Sequence, residues 1–181
     1  MKSKEKLQIA ATKLFMEKGY ENTTVQEISS LAGVTERTFF RQFKDKSDVL
    51  FDSENHLGKQ VASYISEYSS DTLNPLKLAV SGFAAITLFD ENRERALSRT
   101  QIVNSHPDLI ERELLKAQTL IASVENALSS HFDSSLSALS ARFSVEIFHL
   151  AFVKWTHEKD KKFSEQIWGV YDTYKKLIEL P

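Results

Sequence analysis

Apolar residues recur at helical spacing along almost the whole chain, and this periodicity limits the possible folds more than any single motif does. In residues 4–18, Leu7, Ala10, Ala11, Leu14 and Phe15 form one stripe at i, i+3, i+4 and i+7. Only five glycines and three prolines punctuate 181 residues, so the chain reads as all-α with about nine helices. After the first helix, a short second one opens at Thr24 and a third, opened by Thr35, reaches about Phe43. A long fourth is expected over 47–68, and five more over 75–89, 91–104, 107–131, 135–157 and 163–179. Gly19 supplies the positive-φ residue that commonly follows a helix end. Asn74-Pro75 is an N-cap followed by proline at the first helical position, and the polar stretch 69–74 before it reads as a linker.

Composition narrows the chemistry. The chain has no cysteine, which excludes disulfides, cysteine-based zinc sites and thiol catalysis together. Glu146 and His149 have the i, i+3 spacing found in helical di-iron sites, but those need a second copy and two further glutamates. No other Glu-x-x-His occurs in the sequence, so no metal or cofactor is expected, and no nucleophile–base set suggests an enzyme. No uninterrupted apolar run approaches the roughly 18 residues that span a bilayer. The lysine-rich first eight residues are followed by an amphipathic pattern instead of a continuous apolar stretch. A cytoplasmic protein without a membrane partner is the expectation.

The net charge of −2 is unevenly distributed. Residues 1–50 hold nine basic against seven acidic side chains, and the remainder 14 against 18. That asymmetry permits nucleic-acid binding by the N-terminal segment. It speaks against a non-specific architectural protein, which needs a broad basic surface.

Within the basic segment, Thr24 and Glu27 have the spacing of a capping box. Val25, Ile28 and Ala32 supply the buried side of a short helix, Ala32-Gly33-Val34 makes a tight turn, and Thr35 caps the next helix. Two short helices joined by a glycine-containing turn form a helix-turn-helix unit, whose second helix enters the major groove. Phe39 and Phe43, four residues apart, face inward, so Glu36, Arg37, Thr38, Phe40, Arg41 and Lys44 are presented outward. Arg37 is the favoured base reader, because its fork matches guanine O6 and N7. Thr35 and Thr38 reach phosphates, Lys46 adds a charge at backbone height, and Thr24 is a further DNA-binding candidate. Glu36 is either an acceptor for a cytosine amino group or a first-turn acid favoured by the helix dipole. Phe40 either touches a thymine methyl or packs on a neighbour.

Ile9-Ala10, Leu14-Phe15, Gly19-Tyr20, Thr23-Thr24-Val25, Glu27-Ile28, Ala32-Gly33-Val34-Thr35, Thr38-Phe39-Phe40, Phe43, Lys46 and Val49-Leu50 together resemble the DNA-binding domain of the TetR family. Order and spacing agree over residues 9–51 without a gap. Two positions depart from the usual pattern. Phe40 stands where a tyrosine generally reaches a phosphate, and Gln42 where a histidine is common. The resemblance implies an all-helical homodimer: a helix-turn-helix DNA-binding domain over 1–50, then a larger helical effector-binding and dimerisation domain over 51–181. It also implies a sequence-specific repressor of transcription that binds a pseudo-palindromic operator in double-stranded DNA and is released by a small-molecule inducer.

The C-terminal part matches no subfamily pattern that would identify a ligand. Aromatic and polar candidates for a cavity are Tyr64, Tyr68, Phe83, Phe89, Gln101, Asn104 and His106. Arg93, Arg95 and Arg99 suit an anionic effector or ordinary pairing with Glu91 and Glu94. Helix 135–157 carries two apolar stripes, one of Leu136, Leu139, Phe143, Ile147 and Leu150, the other of Ala138, Ala141, Val145, Phe148, Phe152 and Trp155. A helix apolar on two sides is enclosed from both. A second copy of the chain is therefore expected here, anchored by Phe148, Phe152, Trp155, Trp168 and Tyr171.

Overall fold

The computed structural model describes residues 1–51, 55–68 and 74–180. Among them there is no strand. The helices in chain order are α1 (Ser3–Lys18), α2 (Val25–Leu31), α3 (Glu36–Gln42), a 3-10 turn (Ser47–Leu50), α4 (His56–Tyr68), α5 (Pro75–Ala84), α6 (Leu88–Glu91), α7 (Arg93–Asn104), α8 (Pro107–Ser129), α9 (Ser134–His157) and α10 (Phe163–Ile178). Nine of the described helices have seven residues or more, in line with the periodicity, and α6 is a single turn. Of the expected linker, residues 69–73 lie outside the described residues, while Asn74 caps α5 by accepting the Lys77 N–H at 3.1 Å.

Two compact units form. The first comprises Met1–Glu54 together with Glu94–Leu115. Its core joins the buried stripe of α1 to Ile28, Phe39, Phe43, Val49, Leu50 and Phe51, and Ile102, Val103 and Leu109 from α7 and α8 complete it. Local chemistry sets the short elements. Gly19 ends α1 at φ 83°, and Gly33 turns between α2 and α3 at φ 67°, a region where a side chain would be strained. The Thr24–Glu27 capping box is present in both directions, and Thr35 caps α3 through the Thr38 N–H at 3.2 Å.

The second unit comprises Asn55–Arg93 and Lys116–Pro181. There α9 packs on α5 and α10, α10 also on α5, and α5 on α4. Phe83, Phe89, Phe148, Phe152, Trp155 and Phe163 form a single ring cluster. One carboxylate pins it: Asp90 Oδ1 accepts the Trp155 indole N–H at 2.9 Å and the Phe163 backbone N–H at 3.0 Å.

Two expected helices are broken. Residues 47–68 do not run continuously, because Ser47 through Phe51 are all buried and an α-helix can turn only a stripe of its residues inward. The chain takes a 3-10 turn, goes extended at Phe51 (φ −114°, ψ 145°), and restarts after Asn55 at φ 52°. The expected helix 75–89 stops at Ala84. The turns that follow, closed by the Ile86 N–H on Phe83 O at 3.2 Å, bring Asp90 onto the ring cluster. Among the described residues one helix, α9, is long and apolar enough by length and composition to cross a membrane. Three of its serines, Ser137, Ser140 and Ser144, are small enough to be buried where it packs inside the second unit.

Candidate nucleic-acid interface

The recognition surface is built on a rigid inner side. Phe39 is fully buried and Phe43 nearly so, their ring centroids 5.4 Å apart. The opposite side of α3 exposes Glu36, Arg37, Phe40 and Arg41, with Lys44 just beyond the helix. Thr38 is half-buried, its hydroxyl 3.1 Å from that of Thr35. Phe40 is 55 % exposed and meets Phe39 edge-on, so packing accounts for part of its ring and leaves the rest outward. No hydrogen bond or ion pair engages the side chains of Arg37, Arg41 or Lys44 among the described residues. Three cations thus stand on one face without an internal anion to answer them.

Two residues expected to contact DNA have partners within the chain. The Thr24 hydroxyl donates to Glu27 Oε2 at 3.1 Å and accepts the Glu27 N–H at 3.2 Å. Lys46 donates its ammonium to the carbonyls of Tyr20, Glu21 and Thr23 at 2.8, 3.2 and 3.3 Å, and lies 4.3 Å from the Tyr20 ring. An ammonium has three N–H donors, and all three meet the loop between α1 and α2. Lys46 therefore fastens that loop, a role that sequence spacing alone does not reveal.

The Glu27 carboxylate is strongly perturbed by its surroundings. Lys18, by a hydrogen bond, and then the Thr24 N–H and hydroxyl hold it at about 2, against an ordinary 4.5. A depressed folded-state value stabilises the fold above about pH 4.5, and that contribution is lost as pH falls towards 2. Glu27→Gln is expected to lower the melting temperature at pH 7, and the gap from wild type is expected to close between pH 4.5 and 2. Thermal melts across that range check it, and a gap independent of pH contradicts it.

The cavity candidates are divided between the two units. Gln101, Asn104 and His106 belong to the first unit, where His106 Nε2 lies 2.5 Å from Glu21 Oε1 and its ring sits against Tyr20. Phe83 is fully buried, and Phe89 sits in the same ring cluster of the second unit. Tyr64 meets Tyr68 at a tilt of 34° with ring centroids 4.5 Å apart, and borders a cleft of about 380 Å³ with Gln60, Gly82, Ile86, Thr87 and Glu91. The arginines have internal partners. Arg93 lies over Trp155 and donates to the carbonyls of Trp155, Glu158 and Lys161 at the end of α9. Arg95 donates to Gln8 Oε1 at 2.6 Å, and Arg99 to Leu50 O at 2.6 Å and to Glu113.

Most of the expected dimer anchors are already buried within a single chain. Trp155, Phe148 and Tyr171 are 0 %, 6 % and 7 % exposed within a single chain, and Phe152 and Trp168 are half-buried. The ring cluster consumes that stripe. Leu136, Leu139, Phe143 and Leu150, from the other stripe, are 43–55 % exposed.

A capped, glycine-turned helix pair with its second helix basic and outward defines a helix-turn-helix DNA-binding domain, here at the N-terminus of an all-helical chain. Residues 9–52 match the family described as bacterial regulatory proteins, TetR family. The chain is 31 % identical over 87 residues to the HTH-type transcriptional regulator AcrR of Shigella flexneri, covering 46 % of this chain and 40 % of that protein's length. The fold is shared at greater length. A putative TetR-family regulator from Syntrophomonas wolfei superposes with a TM-score of 0.65 at 21 % identity, covering 97 % of this chain and 94 % of that one. SmeT in complex with triclosan superposes with a TM-score of 0.63 at 18 % identity, covering 94 % and 88 %. Residues 9–52 thus carry the N-terminal domain of the TetR family of bacterial regulators, and the matched segment spans less than half the length of AcrR.

Proposed function

We propose that the protein is a sequence-specific DNA-binding regulator, a repressor that occupies a pseudo-palindromic operator as a homodimer in the cytoplasm and leaves it when a small molecule binds. Residues 1–50 carry the DNA contacts; residues 51–181 carry the effector and dimer functions. This reading rests on the outward face of α3, where the side chains of Arg37, Arg41 and Lys44 have no hydrogen-bond or ion-pair partner among the described residues and Phe39 and Phe43 hold the helix from beneath. Operators of such dimers have half-sites about 10 bp, or a multiple of that, apart. The cleft beside Tyr64 is the effector site this reading favours. SmeT, of the same fold, is seen with triclosan.

Gel shifts with the DNA upstream of the protein's own gene test the proposal. Arg37→Ala is expected to relax preference at one base pair of each half-site, at a cost of roughly 1–3 kcal/mol for a bidentate contact. Equal affinity for upstream and random duplexes at every salt concentration refutes sequence-specific recognition.

A further inference from the structure

Arg112 lies in the second turn of α8, yet its guanidinium folds onto the segment that follows α3. Nη1 donates to the Asp45 carboxylate oxygens at 3.2 and 3.1 Å and to the Ser47 hydroxyl, and Nη2 donates to Asp48 Oδ1 at 2.5 Å. The Asp48 side chain is only 4 % exposed. Its second oxygen accepts the backbone N–H of Lys44 at 3.1 Å. A line of polar contacts thus runs from Arg112 through Asp48 to the first residue past the C-cap of α3.

That end of the helix needs an external hold. Phe43 caps α3 in an extended conformation (φ −139°, ψ 143°), without the left-handed glycine that closes many helices. The planar guanidinium fork suits the task, because it can grip two carboxylates and a hydroxyl in fixed directions. It also lies 5.0 Å from the Phe51 ring centroid, with Arg99 at 5.2 Å. Burial raises the Asp45 carboxyl, but the Ser47 hydroxyl, the Asp48 N–H and the Arg112 charge outweigh it and leave the group below its usual value.

We infer that Arg112 is a positioning residue for DNA recognition: through Asp48 and Asp45 it fixes the C-terminal end of α3 and residues 44–50, without itself touching DNA. This rests on α3 being the recognition helix. Base contacts require a defined helix placement, whereas contacts from long cationic side chains to phosphates tolerate small displacements. Loosening the segment should therefore remove discrimination and leave the salt-dependent part of binding intact.

The test uses the full chain, a duplex selected by the wild-type protein from a random pool, and a scrambled duplex of equal length. Binding is titrated against salt at a temperature where each variant is folded by circular dichroism. Arg112→Gln is expected to lose about tenfold on the selected duplex, the equivalent of one base contact. Binding to the scrambled duplex and the slope of log K against log salt stay at wild-type values. Arg112→Lys, which keeps the charge and loses the fork, falls between. In the DNA-free protein, the Lys44 amide exchanges its hydrogen faster in Arg112→Gln.

An unchanged Kd accompanied only by a lower melting temperature overturns the inference, since Arg112 would then serve stability alone. A salt slope shallower by about one unit also overturns it, because Arg112 would itself contact a phosphate. If Arg112→Gln unfolds by stranding the Asp48 charge, the double variant R112Q/D48N removes that charge and carries the same test. Wild-type protein that cannot tell selected from scrambled DNA removes the reading of α3. The exchange measurement then still decides whether Arg112 holds the segment, and unchanged Lys44 protection overturns that.

Discussion

A fragment ending at residue 54 is expected not to fold. The core that supports the helix-turn-helix includes Ile102, Val103 and Leu109, each 3 % exposed or less. Removing them opens the buried cluster they share with Val49, Leu50, Phe51 and the stripe of α1. Truncating one large buried aliphatic side chain costs roughly 2–5 kcal/mol, while a whole domain is stable by about 5–15 kcal/mol. Loss of three such side chains at once, roughly 6–15 kcal/mol, is as large as that margin. The polar ties vanish with them: Arg95 to Gln8, Arg99 to Leu50 O, His106 to Glu21 and Arg112 to Asp48. The expected result is a random-coil circular dichroism spectrum for residues 1–54 at 25 °C and no operator binding. A cooperative melt from that fragment would show that α1 to α3 are self-sufficient.

Leu139→Glu, or Leu150→Glu, is expected to give a folded monomer that binds its operator far more weakly. These leucines are 55 % and 51 % exposed and share a stripe with Leu136 and Phe143, so within one chain an acid there meets water at little cost. In the proposed dimer it enters a dry contact, where an unpaired charge is strongly disfavoured. Losing the partner loses the second half-site, which is worth about 10²–10⁴ in avidity. Trp155→Ala should behave oppositely. It removes a fully buried ring with its bond to Asp90 and costs the fold about 3–5 kcal/mol. Sedimentation and melting separate the two outcomes. Wild-type protein that sediments as a monomer at micromolar concentration contradicts the dimer.

Sequence by itself determined the elements that depend on near neighbours. The Thr24–Glu27 capping box, the Thr35 cap, the turns at Gly19 and Gly33 and the inward pair Phe39 and Phe43 are set by interactions three or four residues apart, and they carry the family pattern. Spacing could not show partners lying far along the chain. It placed Lys46 at a phosphate, where the fold gives it the carbonyls of Tyr20, Glu21 and Thr23. It left Arg93 and Arg99 between an anionic effector and pairing with Glu91 and Glu94, where the fold gives one the carbonyls at the end of α9 and the other Leu50 O and Glu113. The two apolar stripes of α9 were both visible, but not which of them faces the chain's own core. That depended on Phe83, Phe89 and Phe163, brought from three other helices onto Phe148 and Trp155. Hydrophobic periodicity states that a side is buried, and only tertiary packing decides what buries it.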